Sequence, residues 1–182
     1  MGNSIFLRNG SSLTLRAQNT NDILTLGNEV SFSDDTNFGA GGTAVFVRGN
    51  GTIIYNGTTD YQGTITVNNA NFKVNGQIDN ASLFICRDSL VSQRGILSGS
   101  GVMTGNVFVN SGSISPDAVG TLTLGSLTLN SAGSGSLGSL VHINVNSSSA
   151  SLVAVNGPAS LAGILEVNLD SNAVPGIYYR NF

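Results

Sequence analysis

The sequence predicts an all-β chain wound as a parallel β-helix, a solenoid in which short strands stack coil upon coil. Three observations carry this expectation: short apolar-polar alternations, glycine- and asparagine-rich corners between them, and a strand ending that keeps recurring. The first alternations are Ser12-Leu13-Thr14-Leu15, Ile23-Leu24-Thr25-Leu26, Ala44-Val45-Phe46-Val47, Thr64-Ile65-Thr66-Val67, Asn71-Phe72-Lys73-Val74 and Val107-Phe108-Val109. They continue as Thr121-Leu122-Thr123-Leu124, Ser126-Leu127-Thr128-Leu129, Val141-His142-Ile143-Asn144-Val145, Leu152-Val153-Ala154-Val155 and Ile164-Leu165-Glu166-Val167. Period-two alternation belongs to strands that bury one face. No stretch of ten or more residues carries the apolar stripe of a helix.

The corners between these segments are Asn-Gly, Ser-Gly and Gly-Asn-Gly pieces, which tolerate the positive φ angles of sharp turns. Many short strands also build sandwiches and up-and-down barrels. Repetition tips the choice. An aliphatic residue followed by Asn closes Thr66-Val67-Asn68, Lys73-Val74-Asn75, Phe108-Val109-Asn110, Thr128-Leu129-Asn130, Asn144-Val145-Asn146, Ala154-Val155-Asn156 and Glu166-Val167-Asn168. In a solenoid such an Asn either takes a left-handed corner or stacks beneath an Asn of the next coil. One coil of about 20 residues buries too little apolar surface to offset the entropy of ordering it. Each coil is therefore expected to stand only on a finished neighbour, so the fold assembles sequentially.

Composition narrows the function. Of 182 residues only 9% are charged while 40% are hydrophobic, against about 25% charged in an average soluble domain. The polar surface must be built from amides and hydroxyls. A net charge of −3 with scattered arginines leaves no basic stripe for a phosphate backbone, so nucleic acid is not expected as a partner. No apolar run approaches the ~20 residues that cross a bilayer, and the first residues lack the basic and apolar regions of a signal peptide. Gly2 lacks the Ser or Thr at position 6 that myristoylation needs, since Phe6 stands there. Cys86 is the single cysteine, so an internal disulfide is excluded, and it reads as a small strand residue in Ser82-Leu83-Phe84-Ile85-Cys86.

The chemistry of sites is sparse. Asp34-Asp35 is the one carboxylate pair adjacent in sequence and reads as a turn, while Asp60, Asp79, Asp88, Asp117 and Asp170 are isolated and expected at corners. Glycan-cleaving β-helices need converging carboxylates, and that reading is kept as a minor alternative. His142, the only histidine, has no second His for a zinc site and is expected to point outward. Gly39-Ala40-Gly41-Gly42 lacks the Asp of a calcium-binding nonapeptide. No catalytic, metal-binding or cofactor-binding residue is assigned, and no cofactor is inferred. The Asn-x-Ser/Thr triplets at Asn9, Asn50, Asn56, Asn80 and Asn146 are expected by chance in so Asn-rich a chain.

Two stretches carry a family likeness. Residues 49–76 contain Gly49 and Gly51, the corner Tyr61-Gln62-Gly63-Thr64, then Val67 and a closing Val74-Asn75-Gly76. This resembles the autotransporter-associated β-strand repeat, with Asp60 where the family commonly has Asn and Phe72 where an aliphatic is usual. Residues 97–179 run from Leu97-Ser98-Gly99-Ser100-Gly101 through Gly105-Asn106-Val107-Phe108-Val109-Asn110-Ser111-Gly112, Ser115-Pro116 and Gly120-Thr121-Leu122-Thr123-Leu124. They continue with Leu152-Val153-Ala154-Val155-Asn156-Gly157-Pro158-Ala159-Ser160-Leu161-Ala162-Gly163-Ile164-Leu165-Glu166-Val167 and Pro175-Gly176-Ile177-Tyr178. That series is similar to the C-terminal part of bacterial autotransporter passengers, the autochaperone-like segment ahead of an outer-membrane barrel. Arg87 to Arg94 is more charged than the family's turn and is expected to protrude as a loop.

The resemblance implies a right-handed, single-stranded parallel β-helix that is a fragment of a longer one, with passenger coils over 1–96 continuing into a C-terminal segment over 97–182. It implies a secreted, cell-surface stalk of type V secretion, non-catalytic, whose C-terminal segment templates folding. Its partner would be its own outer-membrane β-barrel, absent from this chain. The alternative is an adhesin that binds a host protein or glycan along its face or through the Arg87–Arg94 loop. Exposed strand edges at cut coils predict end-to-end self-association.

Overall fold

The computed structural model describes residues 3–34, 42–87, 93–132 and 137–170, and these form strands, turns and bridges without a helix. The strands wind as a solenoid whose coils each visit three faces in the same order. The first coil is β1 (Asn3–Leu7), β2 (Ser12–Ala17) and β3 (Ile23–Leu26); the second is β4 (Val30–Asp34), β5 (Ala44–Gly49) and β6 (Thr52–Tyr55). The third is β7 (Thr58–Asp60), β8 (Thr64–Asn68) and β9 (Asn71–Val74), and the fourth is β10 (Gln77–Asp79), β11 (Ser82–Cys86) and β12 (Ile96–Gly99). In the fifth and sixth coils one long strand serves two faces: β13 (Val102–Asn110) with β14 (Ser113–Pro116), then β15 (Thr121–Leu129) with β16 (Leu140–Val145). The seventh is β17 (Leu152–Val155), β18 (Ala159–Leu161) and β19 (Ile164–Leu169).

Every ladder between coils is parallel. The expected parallel β-helix is what the chain forms, and its ladders pass without interruption through residues 96 and 97. On the first face Leu13 pairs with Val45, Val45 with Ile65, Ile65 with Leu83, Leu83 with Val107 and Val107 with Leu127. On the second, Leu24, Ile53, Phe72, Leu97, Ile114 and Val141 form the matching row. Alternation puts these rows inside, and Ile53, Ile65, Leu83, Leu97, Val107 and Ile114 are wholly buried. Their immediate neighbours on the same strands point out, which is the alternation read from the sequence.

The coils differ in length because their loops differ. Leu97 meets Ile114 seventeen residues later, whereas Leu13 meets Val45 after thirty-two. β13 and β15 turn their corners without leaving the strand. In β15 the inward residues are Leu122 and Leu124 before the corner and Leu127 and Leu129 after it. The phase shift falls at Gly125-Ser126, where a Cβ on Gly125 would lie 1.8 Å from the Thr104 carbonyl oxygen. Only glycine lets the two backbones approach so closely. Gly49 does the same against the Ala17 carbonyl oxygen, also at 1.8 Å, with φ +110°.

The recurrent Asn plays a different part from the left-handed corner considered above. Among the described non-glycine residues, positive φ falls on Asn69, Asn80 and Ser111. Asn69 and Ser111 each follow a recurrent Asn by one place, because Asn68 still stands on the β8 ladder opposite Arg48 and Cys86. The stacking role holds at Asn75, whose Nδ2 donates to Asn56 Oδ1 at 3.0 Å. Asn168 Nδ2 reaches Asn144 Oδ1 at 3.5 Å in the same way.

Among the described residues the third face is interrupted once. β1 pairs only with β4, and β7 begins a new ladder with β10. Thr59 spans the break: its Oγ1 accepts from the Phe32 N–H at 2.9 Å and donates to the Phe32 carbonyl oxygen. A side chain thus supplies both bonds that a ladder would have made. Around it pack Phe32, Tyr55 and Tyr61, with Phe32 and Tyr55 stacked at 5.4 Å between centroids. The Tyr55 hydroxyl donates to the Val30 carbonyl oxygen at 3.0 Å.

Burial pushes the Tyr55 phenol up to about 12 against the pull of its Thr59 hydrogen bond, and burial raises Tyr61 as well. The unfolded chain loses the Tyr55 proton near 10 and the folded chain near 12, so the unfolded state binds fewer protons in that window. Stability is unaffected below about pH 10 and is expected to fall as pH rises toward 12. Denaturant titrations at stepped pH should show that fall, and Tyr55→Phe should make it shallower.

Candidate functional site

The solenoid gathers side chains that lie far apart in the sequence, and each candidate can be followed to its rung. Asp34 Oδ2 accepts from the Thr43 hydroxyl at 2.9 Å; its neighbour Asp35 lies outside the described residues. Asp60 and Asp79, nineteen apart, stand opposite each other on neighbouring rungs of the third face. Sequence spacing gave no sign of that pairing. Asp60 Oδ1 accepts from Asn80 Nδ2 at 2.6 Å, and Asp79 accepts from Gln77 Nε2 at 2.8 Å and from the Thr104 hydroxyl at 3.0 Å. Amides and a hydroxyl hold both carboxylates.

Asp117 pairs with Lys73 at 2.9 Å on the second face, where both side chains are about one third exposed. Such a pair stabilises by no more than about 1 kcal/mol. Asp170 lines a cleft beside the last described strand, while Asp88 lies outside the described residues. Gly39, Ala40, Gly41 and the Pro175-Gly176-Ile177-Tyr178 segment also lie outside them. Among the described residues no three of His, Cys, Asp and Glu meet in a group fit to hold a metal ion.

His142 points outward from the second face, where its ring faces Glu166 and Asn168 of the next coil. Asn168 Nδ2 lies 2.5 Å from Nε2, and Nδ1 lies 3.4 Å from Glu166 Oε2. An amide donating to Nε2 places the ring proton on Nδ1, facing the carboxylate. Cys86 ends β11, half-buried, and burial raises its thiol above the ordinary value. That lowers its thiolate fraction and its reactivity.

The first face carries aromatic side chains on its outer side. Its middle outward row runs Thr14, Phe46, Thr66, Phe84, Phe108 and Thr128. Phe84 and Phe108 stack at 5.1 Å, and the Arg48 guanidinium lies 4.6 Å from the Phe46 centroid. Aromatic pairs on neighbouring rungs stabilise coil against coil from outside the core.

The Arg87–Arg94 segment has its ends in the structure and residues 88–92 outside the described set. Arg94 is turned back onto the solenoid. Its Nη1 donates to the carbonyl oxygens of Ser111 at 2.8 Å and Gly138 at 2.7 Å, with Gly112 at 3.4 Å. One guanidinium thereby ties the fourth, fifth and sixth coils. Arg94→Ala is expected to lower unfolding stability by about 2–3 kcal/mol, since the lost bonds are charge-assisted. Urea denaturation should show it, with Arg94→Lys recovering part of the loss.

With the geometry in place, the chain can be compared with known proteins. No family model, no curated protein and no solved structure matches it. The autotransporter resemblance therefore rests on the motifs of residues 49–76 and 97–179 alone.

Proposed function

We propose that this chain is a non-catalytic length of a bacterial autotransporter passenger, a surface-displayed β-helical stalk whose C-terminal coils template the folding of the rest. The observation that carries the reading is the pairing of β13 with β15. These two nine-residue strands ladder over two faces at once and bury Met103, Val107, Val109, Leu122, Leu124, Leu127 and Leu129 between them. A unit with continuous strands and an apolar buried row is the kind of finished coil on which a neighbour can dock.

In this reading the chain emerges through its own outer-membrane barrel unfolded, and folding of residues from Leu97 onward opposes backsliding without ATP. One unpaired cysteine suits that route, since no internal disulfide hinders threading. The exposed inward row of the seventh coil, with Leu161 68% and Leu165 65% accessible, supports end-to-end association of the isolated chain. The test is deletion of Leu97 to Tyr178 from the full-length protein, followed by measurement of protease-resistant passenger at the cell surface. Loss of the resistant band is expected. Undiminished display would overturn the proposal.

A further inference from the structure

Two of the arginines that the sequence scatters are brought together by the register. Arg16 of β2 stands directly opposite Arg48 of β5 on the outward side of the first face, although thirty-two residues separate them. Both side chains are exposed. Rungs lie about 4.8 Å apart, and like charges directly opposite each other destabilise a ladder. Neither arginine has a carboxylate within ion-pair reach among the described residues, whereas Lys73 is held by Asp117 and Arg94 by backbone carbonyls. The strands of this face, β2, β5, β8, β11, β13, β15 and β18, hold no Asp or Glu. In a chain of net charge −3 this is a local excess of positive charge that the protein itself leaves unneutralised.

The surroundings of the pair narrow what would neutralise it. The Arg48 guanidinium lies 4.6 Å from the Phe46 centroid, a contact that orients it and leaves most of its five N–H donors available. Two such forks on neighbouring rungs suit a carboxylate or sulfate oxyanion set between them. Beyond Arg48 the row continues with Asn68 and Cys86, so the charge stops after two rungs. A nucleic acid, with a phosphate on every residue, would find no cation there. A strand-like acidic peptide laid across the face would leave its own backbone groups unpaired, because β5 and β8 already carry ladders on both edges. Sugar hydroxyls are better matched. Thr14, Thr66 and Asn68 beside the pair have side chains that bond to no other described residue, and Phe46 offers apolar surface to the C–H groups of a ring.

We propose that the outward side of β2, β5 and β8 binds an acidic sugar chain, with Arg16 and Arg48 clamping one carboxylate or sulfate and Thr14, Thr66 and Asn68 meeting the neighbouring hydroxyls. The proposal stands apart from the templating role, which uses the inward rows, and the purified chain suffices to test it. A single clamp of this kind is weak, and repeated display on a cell surface would raise its effect by avidity.

The test is NMR titration of the purified chain at low salt with a hyaluronate hexasaccharide, which carries carboxylates alone, and a chondroitin sulfate hexasaccharide, which carries sulfates as well. Maltohexaose, inorganic sulfate and a hexaglutamate peptide are the controls. Binding of at least one acidic hexasaccharide is expected, with shifts centred on Arg16, Phe46 and Arg48, and the tighter of the two tells carboxylate from sulfate. The three controls should each bind at least fivefold more weakly, and added salt should weaken the acidic sugar. Arg16→Gln and Arg48→Gln should each lower its affinity at least fivefold, whereas Arg8→Gln, the same change of charge just beyond β1, should leave it unchanged. If a variant fails to fold, the shift map of the unaltered chain decides alone. No binding of either acidic sugar, shifts centred elsewhere, an equal loss in Arg8→Gln, or a control that binds as tightly would overturn the proposal.

Discussion

Replacing Ile65 by aspartate is expected to abolish cooperative folding of the chain. Ile65 is wholly buried, with Val45 on the rung before it and Leu83 on the rung after. The substitution removes a side chain that two coils pack against and puts an unpartnered carboxylate in its place. Loss of the packed isoleucine alone costs about 2–5 kcal/mol, and burying an uncompensated polar group adds about 1–3 kcal/mol or more. Their sum equals a large part of the ~5–15 kcal/mol that holds a domain folded. Thr66→Asp, one residue on and pointing outward, is the control and should cost within about 1 kcal/mol. Far-ultraviolet circular dichroism through a urea series distinguishes the two. Equal effects at both positions would mean that the face assignments are inverted.

The second large effect is expected at Thr59. Thr59→Val keeps the shape of the side chain and removes the hydroxyl that serves both the N–H and the carbonyl of Phe32. Two buried backbone groups would lose their partner, at about 1–3 kcal/mol each. Thr59→Ser retains the hydroxyl, loses only a methyl group and should cost about 1 kcal/mol. A valine variant as stable as the serine variant would show that the break between β4 and β7 closes by a direct ladder instead.

These two sites differ in how far the sequence reveals them. Ile65 was legible, because Thr64-Ile65-Thr66-Val67 alternates cleanly and strands of one buried face must alternate. The segments Ile23–Leu26, Asn71–Val74 and Leu152–Val155 match β3, β9 and β17 to the residue for the same reason. Thr59 was not legible. β7 is three residues long, too short to show a period, and nothing local indicates that a threonine replaces a ladder. β6 escaped alternation because Ile53 and Ile54 are both apolar, although Ile54 is only half-buried. The corner inside β15 looked like two strands because Gly125 reads as a break, whereas here it allows close backbone contact.

The cleft beside the last described strand was hidden for a further reason. Its rungs join Asn144 to Asn168 across twenty-four residues, while other ladders of the solenoid join residues from seventeen to thirty-two apart. Without a fixed period, no spacing rule tells which Asn lies beneath which. The recurrent aliphatic-Asn ending announced a solenoid, yet it could not assign the rungs, and the side-chain clusters depend on the rungs. For Asp60 with Asp79 and for His142 with Glu166, the register alone creates the juxtaposition.

The central claim is that the coils of β12 to β15 form first and that the others dock on them. Pulse-labelling hydrogen exchange during refolding of this chain tests it most directly. The account predicts that the backbone amides of Ile96–Gly99, Val102–Asn110 and Thr121–Leu129 gain protection before those of Ser12–Ala17, Ala44–Gly49 and Thr52–Tyr55. Earlier protection of β2, β5 and β6, or simultaneous protection of every coil, would contradict it.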